Sequence, residues 1–518
     1  MDSPLVNRIF RRLFAHETCS RYRIYRPRNI NGSQASLTQA RYFLWDAQER
    51  EQQKRYGGNE KARKDNFWRA RNDLLLTDHI DDYKRFPLVT ADHLRPRKER
   101  PKRVKMTVRD FIEDSLYNPN YGYFSKQAVI FSPGEPFDFQ NMKDEPEFYK
   151  ILGNRYSEFE DELDAQEVNE TRQLWHTPTE LFRPYYGETM ARYMVANYQL
   201  LLYPYYDLII YEMGAGNGTM MLNILDYIRA NHPDVYQRTQ YKIIEISSSL
   251  ATLQNKHLRE SATSQGHIDK VEIINRSIFD WDTYVSSPCF FLALEVFDNF
   301  AHDAIRYDPK TAEALQGHVL IDGNGDFYEI YEREIDAVAL RYLKVRDLAA
   351  TMPFQTPLRR PGLIRRLLNQ KTYTQPQLYR RVRRQGNLTI PEYIPTRLMQ
   401  FFDILHNYFP AHRLLASDFH TLPDAVVGIN GPVVQTRYQR RMIPVSTPLV
   451  QQGYFDILFP TDFKVMEDMY RAITGKFTQV MSHEAFMNRW AYVEDTQTKS
   501  GENPLLSWYK NASFMITV

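Results

Sequence analysis

Nine residues, YEMGAGNGT at 211–219, hold the densest chemistry of the chain. Gly214, Gly216 and Gly218 recur at alternate positions, so the backbone can turn sharply and a ligand can approach it closely. The acid ahead of them, Glu212, decides what kind of ligand. A dinucleotide cradle would carry a third glycine at 219 and no anion beside a pyrophosphate, but Thr219 and Glu212 stand there. A ligand bearing an ammonium group and sugar hydroxyls suits such a turn, because carboxylates and backbone carbonyls accept hydrogen bonds from both. Glu245 ends the next apolar run, where a carboxylate can accept both ribose hydroxyls. Asp280, in the turn FDWD, is placed to take an adenine amino group, with Trp281 able to stack nearby. Each residue alone could be a helix cap or a surface turn. Together, in strand order, they favour a nucleoside.

The elements that must position these residues follow from periodicity. LIIYEM (208–213) predicts a buried strand, and TMMLNILDYIRANH (219–232) has helical spacing with Met221, Leu222, Leu225 and Ile228 on its core side. YKIIEIS, KVEIINRSI and CFFLALEVF predict the second, third and fourth strands, with a helix between the first two. After a helix around 394–409, HRLLASDF (412–419) predicts a fifth strand, and SWYKNASFMITV a terminal one. Strands alternating with helices imply an α/β fold with a mostly parallel sheet covered on both faces. Upstream, Thr107 can cap a helix with Asp110 three residues on, and Asn118-Pro119 stops it. The acidic piece 134–170 reads as a surface insertion, and Leu174–Tyr203 as helical.

Charge divides the chain. Residues 1–106 hold 25 Lys and Arg against 13 Asp and Glu, a balance of +12, whereas the whole chain is +2. The first 30 residues carry seven arginines with only Asp2 and Glu17 as acids, and Val6, Ile9, Phe10 and Phe14 can share a helical face. That pattern is expected of a mitochondrial presequence. Residues 31–105 form a basic arm ending in the linker HLRPRKERPKRVK, and 348–391 a Pro-rich insertion with nine basic side chains and no acid. The insertion could track RNA phosphates, receive an acidic protein, or be a solvated loop. Two cysteines, Cys19 and Cys289, exclude a disulfide scaffold. The most apolar stretch, 194–213, is interrupted by Asn197, Gln199, Pro204 and Asp207, so no membrane span is expected.

An acid followed by G-x-G-x-G is the pattern of class I S-adenosylmethionine methyltransferases. From about residue 106 onward the chain resembles the MidA-type S-adenosylmethionine-dependent methyltransferases, the group that includes the mitochondrial complex I assembly arginine methyltransferases. Asn118, Pro119, Gly122, Tyr123 and Phe124 match the family's N-P-x-x-G-Y-Y/F run. Thr177, Pro178, Gly187 and Glu188 match its T-S-P-E…F-G-E segment. YEMGAGNGT is similar to E-L-G-P-G-x-G-T, IIEIS to V-E-V-S, and LALEVFDNFAHD to A-x-E-F-F-D-x-L-P. SDFHT stands in for a D-Y-G segment and keeps Asp418, while Ala301 replaces the proline of L-P.

The resemblance implies a class I, Rossmann-like seven-stranded sheet with a helical N-terminal extension and insertions. Residues 106–206 would be the family's N-terminal segment, 207–347 the S-adenosyl-L-methionine-binding half, and 392–518 the half completing the sheet. It implies S-adenosyl-L-methionine as cofactor, Thr177, Gly187, Glu188 and Asp418 around the acceptor, and a protein substrate, an arginine of a respiratory-complex subunit in the mitochondrial matrix. A guanidinium is always charged and its nitrogens are poor nucleophiles. Two carboxylates gripping the nitrogens that do not react would keep charge away from the one that does, and Glu295 and Asp298 are the candidates. The alternatives are that Glu295 touches cofactor and Asp298 caps a helix. His302 is a bystander. The rival functions are a non-catalytic assembly or mitoribosome factor docking through the basic segments, and an RNA methylase.

Overall fold

The computed structural model describes residues 84–126, 128–260, 264–309, 311–350 and 388–518. The expected presequence, the arm up to residue 83 and residues 351–387 of the basic insertion lie outside the described residues.

β1 (Val104–Thr107) runs straight into α1 (Val108–Tyr117), because the Thr107 hydroxyl oxygen accepts from the Asp110 N–H, the cap its spacing predicts. β2 (Ala128–Ile130), α2 (Glu145–Gln166), β3 (Gln173–Trp175) and α3 (Tyr185–Leu201) follow. The alternating region is β4 (Leu208–Met213), α4 (Thr219–Asn231), β5 (Thr239–Glu245), α5 (Ser248–Glu260), β6 (Val271–Asn275) and β7 (Cys289–Leu294). Then come β8 (Asp303–Tyr307), β9 (Ala314–Ile321), β10 (Phe327–Glu332), α6 (Ala337–Ala349) and β11 (Glu392–Ile394). α7 (Thr396–Tyr408) and β12 (His412–Phe419) precede three short strands, β13 (Val433–Tyr438), β14 (Arg441–Val445) and β15 (Asp456–Leu458). The described chain closes with α8 (Phe463–Thr474), β16 (Thr478–Ser482), α9 (His483–Trp490) and β17 (Ala512–Thr517).

Seven strands form one mixed sheet in the order β16-β17-β12-β7-β4-β5-β6. β17 is antiparallel to both its neighbours, and the other pairings are parallel. Both faces are covered, which is why β7 reads as an unbroken apolar run and β4 as one interrupted only by Glu212. Alternate residues serve opposite cores. Leu208 and Ile210 pack with Met190, Met194, Ile224 and Leu225 of α3 and α4. Tyr211 and Met213 pack with Phe401, Phe402 and Leu405 of α7 on the other side. β4, β5 and β7 all end at the same edge, so their last residues and the loops after them share one rim.

Two features depart from expectation. β8, β9 and β10 do not extend the main sheet, whereas the resemblance implies that residues 207–347 form one half of it. They form an antiparallel sheet with β1 and β11, in which Val104 lies opposite Ile321. That sheet shares a third core with α1 and with β13 and β15, through residues such as Phe111, Val319, Val434 and Ile457. The acidic segment 134–170 is also more than a surface insertion. Its helix α2 is anchored by buried Phe148 and Leu152, and its buried Glu160 receives both Nη atoms of Arg437.

Candidate active site

The turn after β4 bends as its glycines allow. Gly214, Gly216 and Gly218 have φ of +73°, +53° and +82°, values that L side chains rarely adopt. A Cβ at Gly214 would lie 2.8 Å from Val296 Cγ1, and one at Gly216 2.8 Å from Ile130 Cδ1. The turn is therefore pressed against the loop after β7 and against β2, and it rims a cavity of about 550 Å³.

Two buried acids flank that cavity. Glu212 ends β4 one residue early and accepts from the Tyr241 hydroxyl at 2.8 Å. Glu245 ends β5, and its two oxygens accept from the Ser247 N–H at 2.9 Å and Gln254 Nε2 at 3.1 Å. Burial pushes each carboxyl up to about 7, with those hydrogen bonds opposing the rise. Gln254 also donates to the Gly216 carbonyl at 2.8 Å, tying α5 to the glycine turn.

Beyond β7 the chain enters an unusual conformation. Glu295 has φ of +54°, and its N–H donates to the Ser417 carbonyl at 2.8 Å. A non-glycine residue in that region is held there by its surroundings. Asp418 fixes the residues that follow: one of its oxygens accepts from the N–H groups of Phe297 (2.8 Å) and Asp298 (3.2 Å), the other from that of Phe419 (2.7 Å). Glu295 and Asp298 consequently both line the cavity. Burial first, and then the neighbouring carboxylates, raise both well above the usual carboxylate range. Asp298 is 3% exposed, and among the described residues its buried Oδ1 atom has no hydrogen-bond partner.

Of the residues expected at the site, Glu212, Gly214, Gly216, Glu245, Glu295, Asp298 and Thr177 reach the cavity. The others do not. Asp280 is turned outward by the 3-10 turn Ile278–Asp280 and pairs with Arg95 at 2.9 Å, so Ser277, Ile278 and Phe279 line the wall where it was expected. Trp281 lies in the core beside Tyr211 and Phe409. Gly218 starts α4 behind the wall. Gly187 sits where α3 crosses α4, a Cβ there meeting Asn223 Cβ at 2.5 Å, and its role is close packing. Glu188 is half-buried on α3, with Arg192 and Asp495 as its charged neighbours. Asp418 acts from beneath, through the backbone it orients. His302 is buried, stacked on Phe459 and held well below its ordinary value by burial.

Glu180 was missed. It is buried on the short helix that Thr177 caps, and one oxygen accepts from Asn217 Nδ2 at 3.0 Å and from Thr219 Oγ1 at 2.6 Å. The Thr-Pro-Thr-Glu run, with an acid three residues after a capping threonine, was the available signal. Asn299 and Asp456, 157 residues apart in sequence, also line the cavity.

The model of a family described as S-adenosyl-L-methionine-dependent methyltransferase matches residues 189–482. A relative from Schizosaccharomyces pombe, named protein arginine methyltransferase NDUFAF7 homolog, mitochondrial, is 25% identical over 403 residues, which is 75% of this chain and 80% of that one. The Saccharomyces cerevisiae protein of the same name is 20% identical over 462 residues, covering 83% of this chain and 95% of its own. A crystal structure from Burkholderia thailandensis, bound to S-adenosyl-homocysteine, aligns with a TM-score of 0.46 at 14% identity, over 80% of this chain and 88% of that chain.

Proposed function

Because the chain belongs to the S-adenosyl-L-methionine-dependent methyltransferase family, we propose that it methylates an arginine side chain of a mitochondrial protein, a subunit of a respiratory complex. The names of the two yeast relatives and the arginine-rich first 30 residues support this reading. One observation carries the choice of a cationic acceptor: the buried, unpartnered Oδ1 of Asp298 at a cavity already rich in acids. In this reading residues 1–30 direct the chain to the matrix. Residues 106–206 are the family's N-terminal segment, and 207–347 with 392–518 make up the catalytic body. The sheet order, with one antiparallel strand, supports a class I fold.

The residues present fit the cofactor. The glycine turn leaves no room for a Cβ at 214 or 216, which is what close approach to a ligand requires, and a phosphate would meet Glu212 rather than donors. When bound, S-adenosyl-L-methionine supplies a methyl group on a sulfonium. Everything else is done by the chain. Glu245 accepts ribose hydroxyls, held in orientation by Ser247 and Gln254. Glu212 offers negative charge to an ammonium. Ser277, Ile278 and Phe279 form the wall for the base. Glu295 and Asp298 receive the guanidinium, fixing its plane and localising its charge on the nitrogens that do not react.

The test joins calorimetry with labelled S-adenosyl-L-methionine to methyl-site mass spectrometry on mitochondrial extract. Expected is binding, with label on arginine. D298N should lower transfer by about 100-fold or more while leaving cofactor affinity within about twofold. Label on another residue type, or binding with no transfer by the unaltered protein, overturns the reading.

A further inference from the structure

The cavity does not stop at Glu295. Its lining also takes in Asp298, Asn299 and Asp456, together with the aromatic rings of Tyr117 and Phe124. Asp456 opens β15, which pairs with β13 in a three-stranded sheet outside the seven-stranded one. The Phe459 N–H, just after β15, donates to the Asp298 carbonyl at 2.7 Å, so the two segments are tied together.

Both aspartates are 3% exposed and both line the cavity. Asp456 is oriented by Asn299, whose Nδ2 donates to Asp456 Oδ1 at 2.9 Å and to the Ile457 carbonyl at 3.1 Å. The Asn299 carbonyl in turn accepts from the Tyr117 hydroxyl at 3.2 Å. Asp298 Oδ1 has no hydrogen-bond partner among the described residues. Cations around the cavity are already engaged: Arg397 gives Nε and Nη2 to the two oxygens of cavity-lining Glu113 at 3.2 and 3.0 Å, and Arg276, also in the lining, gives Nη1 to Asp282 at 2.9 Å. Among the described residues, neither Asp298 nor Asp456 is hydrogen-bonded or ion-paired to a lysine or arginine. Two buried carboxylates facing one cavity without a cation are costly, and an incoming planar cation would relieve that cost. The stacked pair Tyr117 and Phe124, with centroids 5.5 Å apart, offers such a cation a flat apolar flank.

We propose that Asp456, supplied by the small accessory sheet, is a binding residue for the methyl acceptor and grips the arginine guanidinium together with Asp298. This rests on the arginine reading above and adds a residue far from the glycine turn and from β7. Specificity for arginine is then set by an element outside the nucleoside-binding rim.

The test uses the full chain saturated with S-adenosyl-homocysteine and two probes, N-acetyl-arginine amide and its neutral counterpart N-acetyl-citrulline amide. The unaltered protein should bind the arginine probe and discriminate against the citrulline one. D456N should weaken the arginine probe by about tenfold or more, with S-adenosyl-homocysteine affinity within about twofold. Equal binding of the arginine probe by both proteins overturns the assignment of Asp456 and leaves the arginine reading standing. Failure of the unaltered protein to distinguish the probes sinks that reading and this inference with it. Should D456N not fold, a crystal structure of the unaltered complex decides: guanidinium nitrogens about 3 Å from an Asp456 oxygen support the proposal, and any other position refutes it.

Discussion

A carboxylate taken out of water must find donors or keep its proton. Glu245 has donors from Ser247 and Gln254 and still opens onto the cavity. E245Q keeps the size but replaces an acceptor with an amide that competes with those donors. Its cofactor dissociation constant should rise by about 10- to 100-fold in calorimetry, as loss of a charged hydrogen bond implies. A change below twofold would place the ribose elsewhere. The residues legible in the sequence were those whose role depends on their place along one strand. Glu212, Glu245 and Glu295 each stand at a strand end, and a strand end is visible as the point where an apolar run stops. Asp280 was misplaced for the opposite reason, since a one-residue rotation of a 3-10 turn decides whether an acid faces in or out. Asp456 was invisible. It opens a three-residue strand whose partners and neighbours lie elsewhere in the chain.

At the scale of elements, the α3–α4 crossing sets where the glycine turn can sit, because α4 begins at the turn. Gly187 lets the two helices touch. G187V should push them apart and destabilise the protein by about 1–3 kcal/mol, read as a lower melting temperature. It should also weaken cofactor binding, because α4 moves with the turn. An unchanged melting temperature would contradict that account. The alternation of β4–α4–β5–α5–β6 was readable because each strand centres on an isoleucine pair (Ile209-Ile210, Ile243-Ile244, Ile273-Ile274) and each helix has a polar face. The antiparallel sheet of β1 and β8–β11 was not. β8 and β10 are short and mixed in polarity, and β9 pairs with β1 some 200 residues earlier. No local pattern carries that pairing. The acidic helix α2 shows the same limit, because two anchoring side chains outweigh many charges in deciding where it packs.

Over the whole molecule, protons and cofactor compete. Glu212 and Glu245 are held up to about 7 by burial, against about 4.3 for a free glutamate, so both carry protons in the free protein at pH 5.5. Ribose hydroxyls and an ammonium favour the charged carboxylates, so binding must expel those protons. Affinity for S-adenosyl-homocysteine is therefore present above about pH 7 and lost as pH falls through 7, by about tenfold or more at 5.5. His176, which also lines the cavity, is held below its ordinary value by burial and so does not charge in the upper part of that window. Calorimetry between pH 5.5 and 7.5, in buffers of different ionisation heat, measures both the loss and the proton release. A flat profile would mean that the two acids are ionised before the cofactor arrives.

β17 lies between β12 and β16, bonded to both. Its residues, 512–517, are the latest of the sheet to leave the ribosome, and they fill an interior slot rather than an edge. While they are still in the exit tunnel, β12 and β16 have no strand between them, and each presents unmet peptide groups. Closure of the sheet thus waits until residue 517 has cleared the tunnel, because only then can β17 meet the peptide groups of both neighbours.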